Sequence, residues 1–210
     1  MSLLTTWGYS IQDETGLTDL LTVEEFNALT ANKYAGDTRI PETIKAASMA
    51  VRNYCEWHVS PELTCICSER ILSGDGRVKR AGADILIQLP AAIVSQVDSV
   101  TIDGTAFTDY VLSPNGMLRL FDACLRPVTR RTEITVNYSA GVKEELTDAI
   151  KELIASRVTR ALAGTAGIAS ESAGGVSVSY SSGWSNGGGA GTLQSTDVET
   201  LEPYKIRGVF

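Results

Sequence analysis

Imidazole is nearly absent from this 210-residue chain: His58 is its one histidine. A Ser–His–acid triad or a Cys/His pair would have to run through that residue alone. The phosphate loop of the Gly-four-residue-Gly-Lys-Ser/Thr type is missing. Positive charge is scarce: 18 Lys and Arg stand against 25 Asp and Glu, a formal −7 with a pI near 4.8. A general nucleic-acid binder needs a basic surface, so the charge balance disfavours that class. No apolar run approaches a membrane span, the stretch from Ile85 to Leu89 being broken by Gln88. Met1 to Thr5 carries no basic stretch followed by an apolar one, so synthesis in the cytosol is the expectation. The four cysteines, Cys55, Cys65, Cys67 and Cys124, lack the paired spacing of a zinc site. In a strand, Cys65 and Cys67 point the same way, and reduced, partly buried thiols are the expectation.

What is present supports a folded chain with a real core: 43% of residues are hydrophobic and 20% charged. Residues 1–21 read as an N-terminal arm whose Trp7 and Tyr9 either cap the core or anchor on a neighbour, the core reading being preferred. Thr22 and Glu25 form a capping box that opens a helix over 22–35, with Gly36 as its stop. A second helix is predicted over 41–58: Pro41 suits its first turn, and Pro61 biases the preceding residue out of helix. From 63 to 141 the period becomes alternating, with turns at Ser73–Gly76, Asp103-Gly104 and Ser113–Gly116. A third helix is predicted over 143–163. Its acids Glu144, Glu145 and Asp148 come first and its Arg157 and Arg160 last, which complements the helix dipole. Nine of the 19 glycines then fall between Gly164 and Gly191. Such a tract holds no fixed fold unaided. The fold expected is α+β: a small helical bundle with an inserted antiparallel β-region, forming a core over 22–164, and an extended Gly-rich C-terminal tail over 165–210.

Within that tail, Val176, Val178 and Tyr180 alternate with serines, and Leu201, Tyr204, Ile206 and Phe210 punctuate the end. Together with Trp184 these residues read as a partner-binding segment that orders on another polypeptide, the alternative being a segment that folds back on its own domain. Candidate chemistry is thin. Cys55 and His58 share a helix face and could form a nucleophile pair, but a histidine closing an amphipathic helix serves capping or stacking more often. The acid pairs Glu24-Glu25 and Glu144-Glu145 sit in first helical turns, where helix-end stabilisation explains them. Asn137-Tyr138-Ser139 matches a glycosylation sequon inside a predicted strand. No catalytic, cofactor-binding or metal site is assigned.

The string Tyr54-Cys55-Glu56-Trp57-His58-Val59-Ser60-Pro61 resembles the helix-closing segment of tailed-phage head–tail connector (adaptor) proteins, which commonly ends in a Tyr-Cys-Gly-Trp-His-like run before a Pro. Glu56 stands where that family commonly has Gly. The order of parts is also similar: a helix pair, a β-region closing in Tyr138-Ser139-Ala140-Gly141, a long helix and a tail. The resemblance implies a non-enzymatic virion protein made in the host cytoplasm. It implies a homo-oligomeric ring, usually dodecameric, docked beneath the portal protein at the neck, extending the DNA channel and presenting a platform to stopper or tail proteins. An acidic chain suits a channel through which DNA passes without binding. Glu144, Glu145, Asp148, Lys151 and Glu152 are then candidates for the subunit interface or lumen wall. The alternatives are a stopper or tail-completion protein of the same neck, a Cys/His-dependent hydrolase, and a host-surface binding module.

Overall fold

A computed structural model describes residues 3–70, 77–122, 132–143, 147–163, 170–173, 176–179 and 193–206. The chain divides into two compact units, one of residues 1–18, 56–144 and 204–210, the other of residues 19–55 and 145–203.

The first unit is built of strands: β1 (Leu3–Leu4), β2 (Ser10–Ile11), β3 (Leu63–Arg70), β4 (Val78–Ala81), β5 (Asp84–Gln88), β6 (Val94–Ile102), β7 (Thr105–Phe107), β8 (Tyr110–Leu112), β9 (Met117–Leu120) and β10 (Glu133–Ala140). They form a six-stranded sheet of order β1-β2-β3-β10-β6-β7 and a four-stranded sheet of order β4-β5-β9-β8. The chain visits the sheets in turn, so β4 and β5, and later β8 and β9, are excursions from the larger sheet. All pairings are antiparallel. Strand β10 lies at the centre of the larger sheet because its sequence alternates without a break. Ile134, Val136, Tyr138 and Ala140 are buried, while Thr135, Asn137 and Ser139 are half-exposed on the other face. Cys65 and Cys67 share the buried face of β3, in register with Tyr138 and Val136. The predicted Asp103-Gly104 turn joins β6 to β7 with φ of +47° and +77°. That is the geometry whose twist matches a hairpin. Gly116 closes the turn after Ser113 at φ +75°, where a Cβ would lie 2.7 Å from the carbonyl oxygen of Ala91.

The second unit holds α1 (Val23–Leu29), α2 (Ile40–Cys55), α3 (Asp148–Leu162), the hairpin strands β11 (Ser170–Ala173) and β12 (Val176–Ser179), and α4 (Ser195–Leu201). The capping box is formed: Glu25 N–H donates to Thr22 Oγ1 at 3.1 Å, and Thr22 N–H to the Glu25 carboxylate at 2.8 Å. Helix α1 stops well short of Gly36, since Ala31 and Asn32 already adopt positive φ. Ile44, Ala47 and Val51 of α2 and Ile150, Ile154 and Val158 of α3 are buried at helical spacing.

The expected fold class is overturned. The β-region is not an insert in a helical bundle; two antiparallel sheets make the body of one unit, and the four helices described are short. Periodicity over ten or more residues makes a helix conspicuous, while two- to four-residue strands such as β1, β2 and β4 leave almost no pattern. The extended tail is corrected too. Its end folds as α4, and Leu201 is fully buried.

Candidate functional site

Residues 56–61, which follow α2, and residues 138–141 at the end of β10 lie in the β unit. Helix α2 ends at Cys55, and Glu56 takes φ +66°. This left-handed position is where a helix commonly places Gly. Trp57, His58 and Val59 follow, all fully buried. The Trp57 indole N–H donates to the Tyr204 carbonyl at 2.6 Å. Val59 has φ +68°, and Ser60 N–H donates to the His58 carbonyl at 2.8 Å, closing a three-residue turn of the rarer hand. A β-branched residue rarely sits there. The turn persists because its neighbours determine it from several sides.

Those neighbours come from the N-terminal arm and from the end of β10. Tyr9 Oη accepts the backbone N–H of His58 at 3.0 Å, so its own proton points to His58 Nδ1, 2.6 Å away. Nε2 then carries the ring proton and donates to the Ala140 carbonyl at 2.9 Å. Val142 N–H donates to the Val59 carbonyl at 2.7 Å. Gly141 adopts φ +147°, and a Cβ there would lie 2.5 Å from the Pro61 carbonyl oxygen and 2.6 Å from Glu62 N. Residues 58–61 and the Tyr138–Gly141 string, some eighty residues apart in sequence, thus close on each other around His58.

Beside this cluster the core is unusually polar. Tyr138 Oη is buried with no hydrogen-bond partner among the described residues, and burial raises its pKa well above the ordinary phenol value. Burial likewise pushes the Cys65 thiol up to about 12, which leaves it an unreactive thiol at neutral pH. Glu69 is buried on the same face of β3, with Arg77 3.5 Å away.

The proposed Cys55–His58 pair has its histidine engaged at both ring nitrogens and fully buried. Cys55, Cys65 and Cys67 are buried. Among the described residues, no three His, Cys, Asp or Glu side chains are placed to hold a metal ion. No described helix is long and apolar enough to cross a membrane. Asn137 of the sequon donates to Ser99 Oγ at 2.7 Å from within the central strand.

No family model and no curated protein matches this chain. The candidate interface residues of α3 are spread by the helix: Asp148 and Glu152 are exposed, while Lys151 pairs with Glu25 at 2.6 Å. Of the tail residues, Leu201 is buried, Tyr204 and Ile206 are half-buried, and Val176 and Val178 lie in β12. Glu144, Glu145, Tyr180, Trp184 and Phe210 lie outside the described residues, as do Cys124 and the Ser73–Gly76 turn.

Sequence reasoning passed over the pair that secures α4. Arg157 Nη1 donates to Asp197 Oδ2 at 2.5 Å, both side chains being almost fully buried. Arg160 reaches the same carboxylate at 3.6 Å, and Asp197 also accepts Gln194 N–H at 2.9 Å. The signal was a cation on the apolar stripe of α3, which requires an acid nearby. Nothing in the sequence says that the acid stands forty residues on, past a glycine-rich tract.

Proposed function

We propose that this chain is a structural protein of a tailed-phage neck, a head–tail connector whose copies form a ring beneath the portal. The ring extends the DNA channel and gives the stopper or tail a surface to dock on. One observation supports the reading above others: the two short strings that resemble the connector family pack together. Their unusual residues have physical jobs at that contact. His58 hydrogen-bonds across the junction to the Ala140 carbonyl, Trp57 is buried beside it and donates to the Tyr204 carbonyl, Gly141 permits the close approach to Pro61, and position 56 takes a left-handed conformation that suits Gly. Such a string serves architecture, and no hydrolytic role is proposed for it. The net charge of −7 suits a wall that DNA slides past, since phosphate is repelled. The Gly-rich segment and the C-terminal residues Tyr204, Ile206 and Phe210 are proposed to contact the portal or a neighbouring copy through added strands and filled pockets.

Electron microscopy of virions tests the reading. Density at the neck fitted by this fold in a ring touching the portal is the expected result. A ring that touches the tail and not the portal would make the chain a stopper, and its absence from the neck would overturn the proposal.

A further inference from the structure

The long connection between α3 and α4 leaves and returns at one place. Arg160, near the end of α3, donates to the side chain of Gln194, the N-cap of α4, and lies 3.6 Å from Asp197 in the first turn of that helix. The connection is therefore tied at both ends and is not a free tail. Two strands are described within it, and they pair with each other alone: β11 and β12 make a two-stranded sheet of their own. A hairpin without a third strand is marginal in water. Each of its strands also keeps one edge that no described strand pairs, and an open edge is a template for another chain.

The register sorts the hairpin into two unlike faces. Ser170 stands opposite Ser179 and Ser172 opposite Ser177, so one face carries serines only. Glu171 opposite Val178 and Ala173 opposite Val176 make up the other. An antiparallel sheet of this kind is solvated on its polar face and covered on the other. The two edges differ as well, since β11 carries Glu171 and β12 carries no charge. Copies meeting β11 to β11 would bring glutamates together across the strands, which is unfavourable. Copies meeting β12 to β12 would leave both β11 edges open. Pairing β12 of one copy with β11 of the next avoids both faults, keeps every neighbour antiparallel and repeats without limit.

We propose that the hairpins of successive copies pair in this way, edge to edge, into one closed antiparallel barrel whose serine face lines the bore. A contact between unlike edges that closes makes a ring, and closure leaves no edge unpaired. The proposal rests on the ring reading for its copy number. The roughly twelve copies of a connector ring would supply about 24 strands; at about 4.8 Å per strand the girth is about 115 Å and the width about 37 Å from backbone to backbone. A DNA duplex passes such an opening, and uncharged hydroxyls give its phosphates no cation to hold.

Thiol cross-linking of the full-length chain tests it. Ser172→Cys and Ser177→Cys are made in separate chains and mixed in equal amounts at millimolar concentration. A short bifunctional thiol reagent that tolerates a slip of about 7 Å, two residues of strand, is then added. The natural chain, with its own four cysteines, is the blank. Covalent dimers in the mixture should exceed those of either variant alone and of the blank by about tenfold, because paired strands hold the two thiols at a high effective concentration. A mixture no better than its parts, or a single variant that links to itself as readily as the mixture does, would overturn the barrel. Density at the neck without cross-linking removes the barrel alone, and cross-linking without density at the neck removes the connector reading alone.

Discussion

Glu56 and Gly141 both hold positive φ, +66° and +147°, with opposite suitability. An L-residue in the left-handed region costs about 1–2 kcal/mol, against about 0.5–1 kcal/mol for the extra chain entropy of Gly. Glu56→Gly should therefore raise stability by about 0.5–1 kcal/mol, read as a shift in urea midpoint with an unchanged slope. Gly141→Ala should lower it by more than about 2 kcal/mol, because the new Cβ meets backbone that cannot move aside. The two buried tyrosines offer a second contrast. Tyr9 Oη satisfies both the backbone and the ring of His58, so Tyr9→Phe should cost about 1–3 kcal/mol by stranding buried polar groups. Tyr138 Oη has no partner among the described residues, so Tyr138→Phe should be neutral or slightly stabilising in the same measurement. The first contrast was half legible in the sequence, where Glu56 stood out against the Gly of the related string. The second was not, since a tyrosine on an apolar strand face looks the same whether or not its hydroxyl is paired.

Among the elements, legibility followed the length of the pattern. The capping box, the stripes of α2 and α3, the alternation of β10 and the Asp103-Gly104 turn are where the sequence places them, because each depends on residues close together in the chain. Helix α4 escaped notice because its seven residues, Ser195–Leu201, are too few for a clear stripe and follow a tract that suggests no structure. What holds α4 is tertiary: the buried Leu201, the Tyr54 hydroxyl donating to Glu202 at 2.9 Å, and above all Asp197 against Arg157. Burial lowers the pKa of Arg157 from the ordinary guanidinium value, and the Asp197 carboxylate opposes that shift. Removing the acid leaves a buried cation whose main counter-charge is gone. Asp197→Ala should cost about 3 kcal/mol or more in urea unfolding, a larger loss than seven surface residues would give. Truncating the chain before residue 193 should cost at least as much. The tail is thus partly a structural member of the helical unit, and only the remainder of it is available to a partner.

Over the whole molecule, the misjudged fold class has one cause. Three helices were visible at once, and ten short strands had to be summed from fragments, so the sheets looked like an insert. Charge, by contrast, is a global quantity read directly, and it has a consequence for stability. Several carboxylates are held below their ordinary pKa. At Asp84 the Asp122 backbone N–H is the main cause, followed by the Arg119 guanidinium. At Asp37 it is the Arg39 side chain and then its backbone N–H, which bring the value to about 2. At Glu25 desolvation pushes upward and is outweighed by Lys151 and the Thr22 cap. A carboxyl with a lower pKa folded than unfolded binds fewer protons when folded. Its stabilising effect is complete above the unfolded value near 4 and drains away as pH falls through the folded value. Protonation also relieves the repulsion within a chain of charge −7, which works the other way. The paired contacts should dominate, because they are short hydrogen-bonded contacts while the net charge is spread over the surface and screened by salt. The urea midpoint should stay level from about pH 7 to 5, then fall steadily from about pH 4 toward 2. Asp37→Asn and Asp84→Asn should each flatten that fall. A midpoint that rose on acidification would mean that relief of the net negative charge outweighs the loss of these specific pairs.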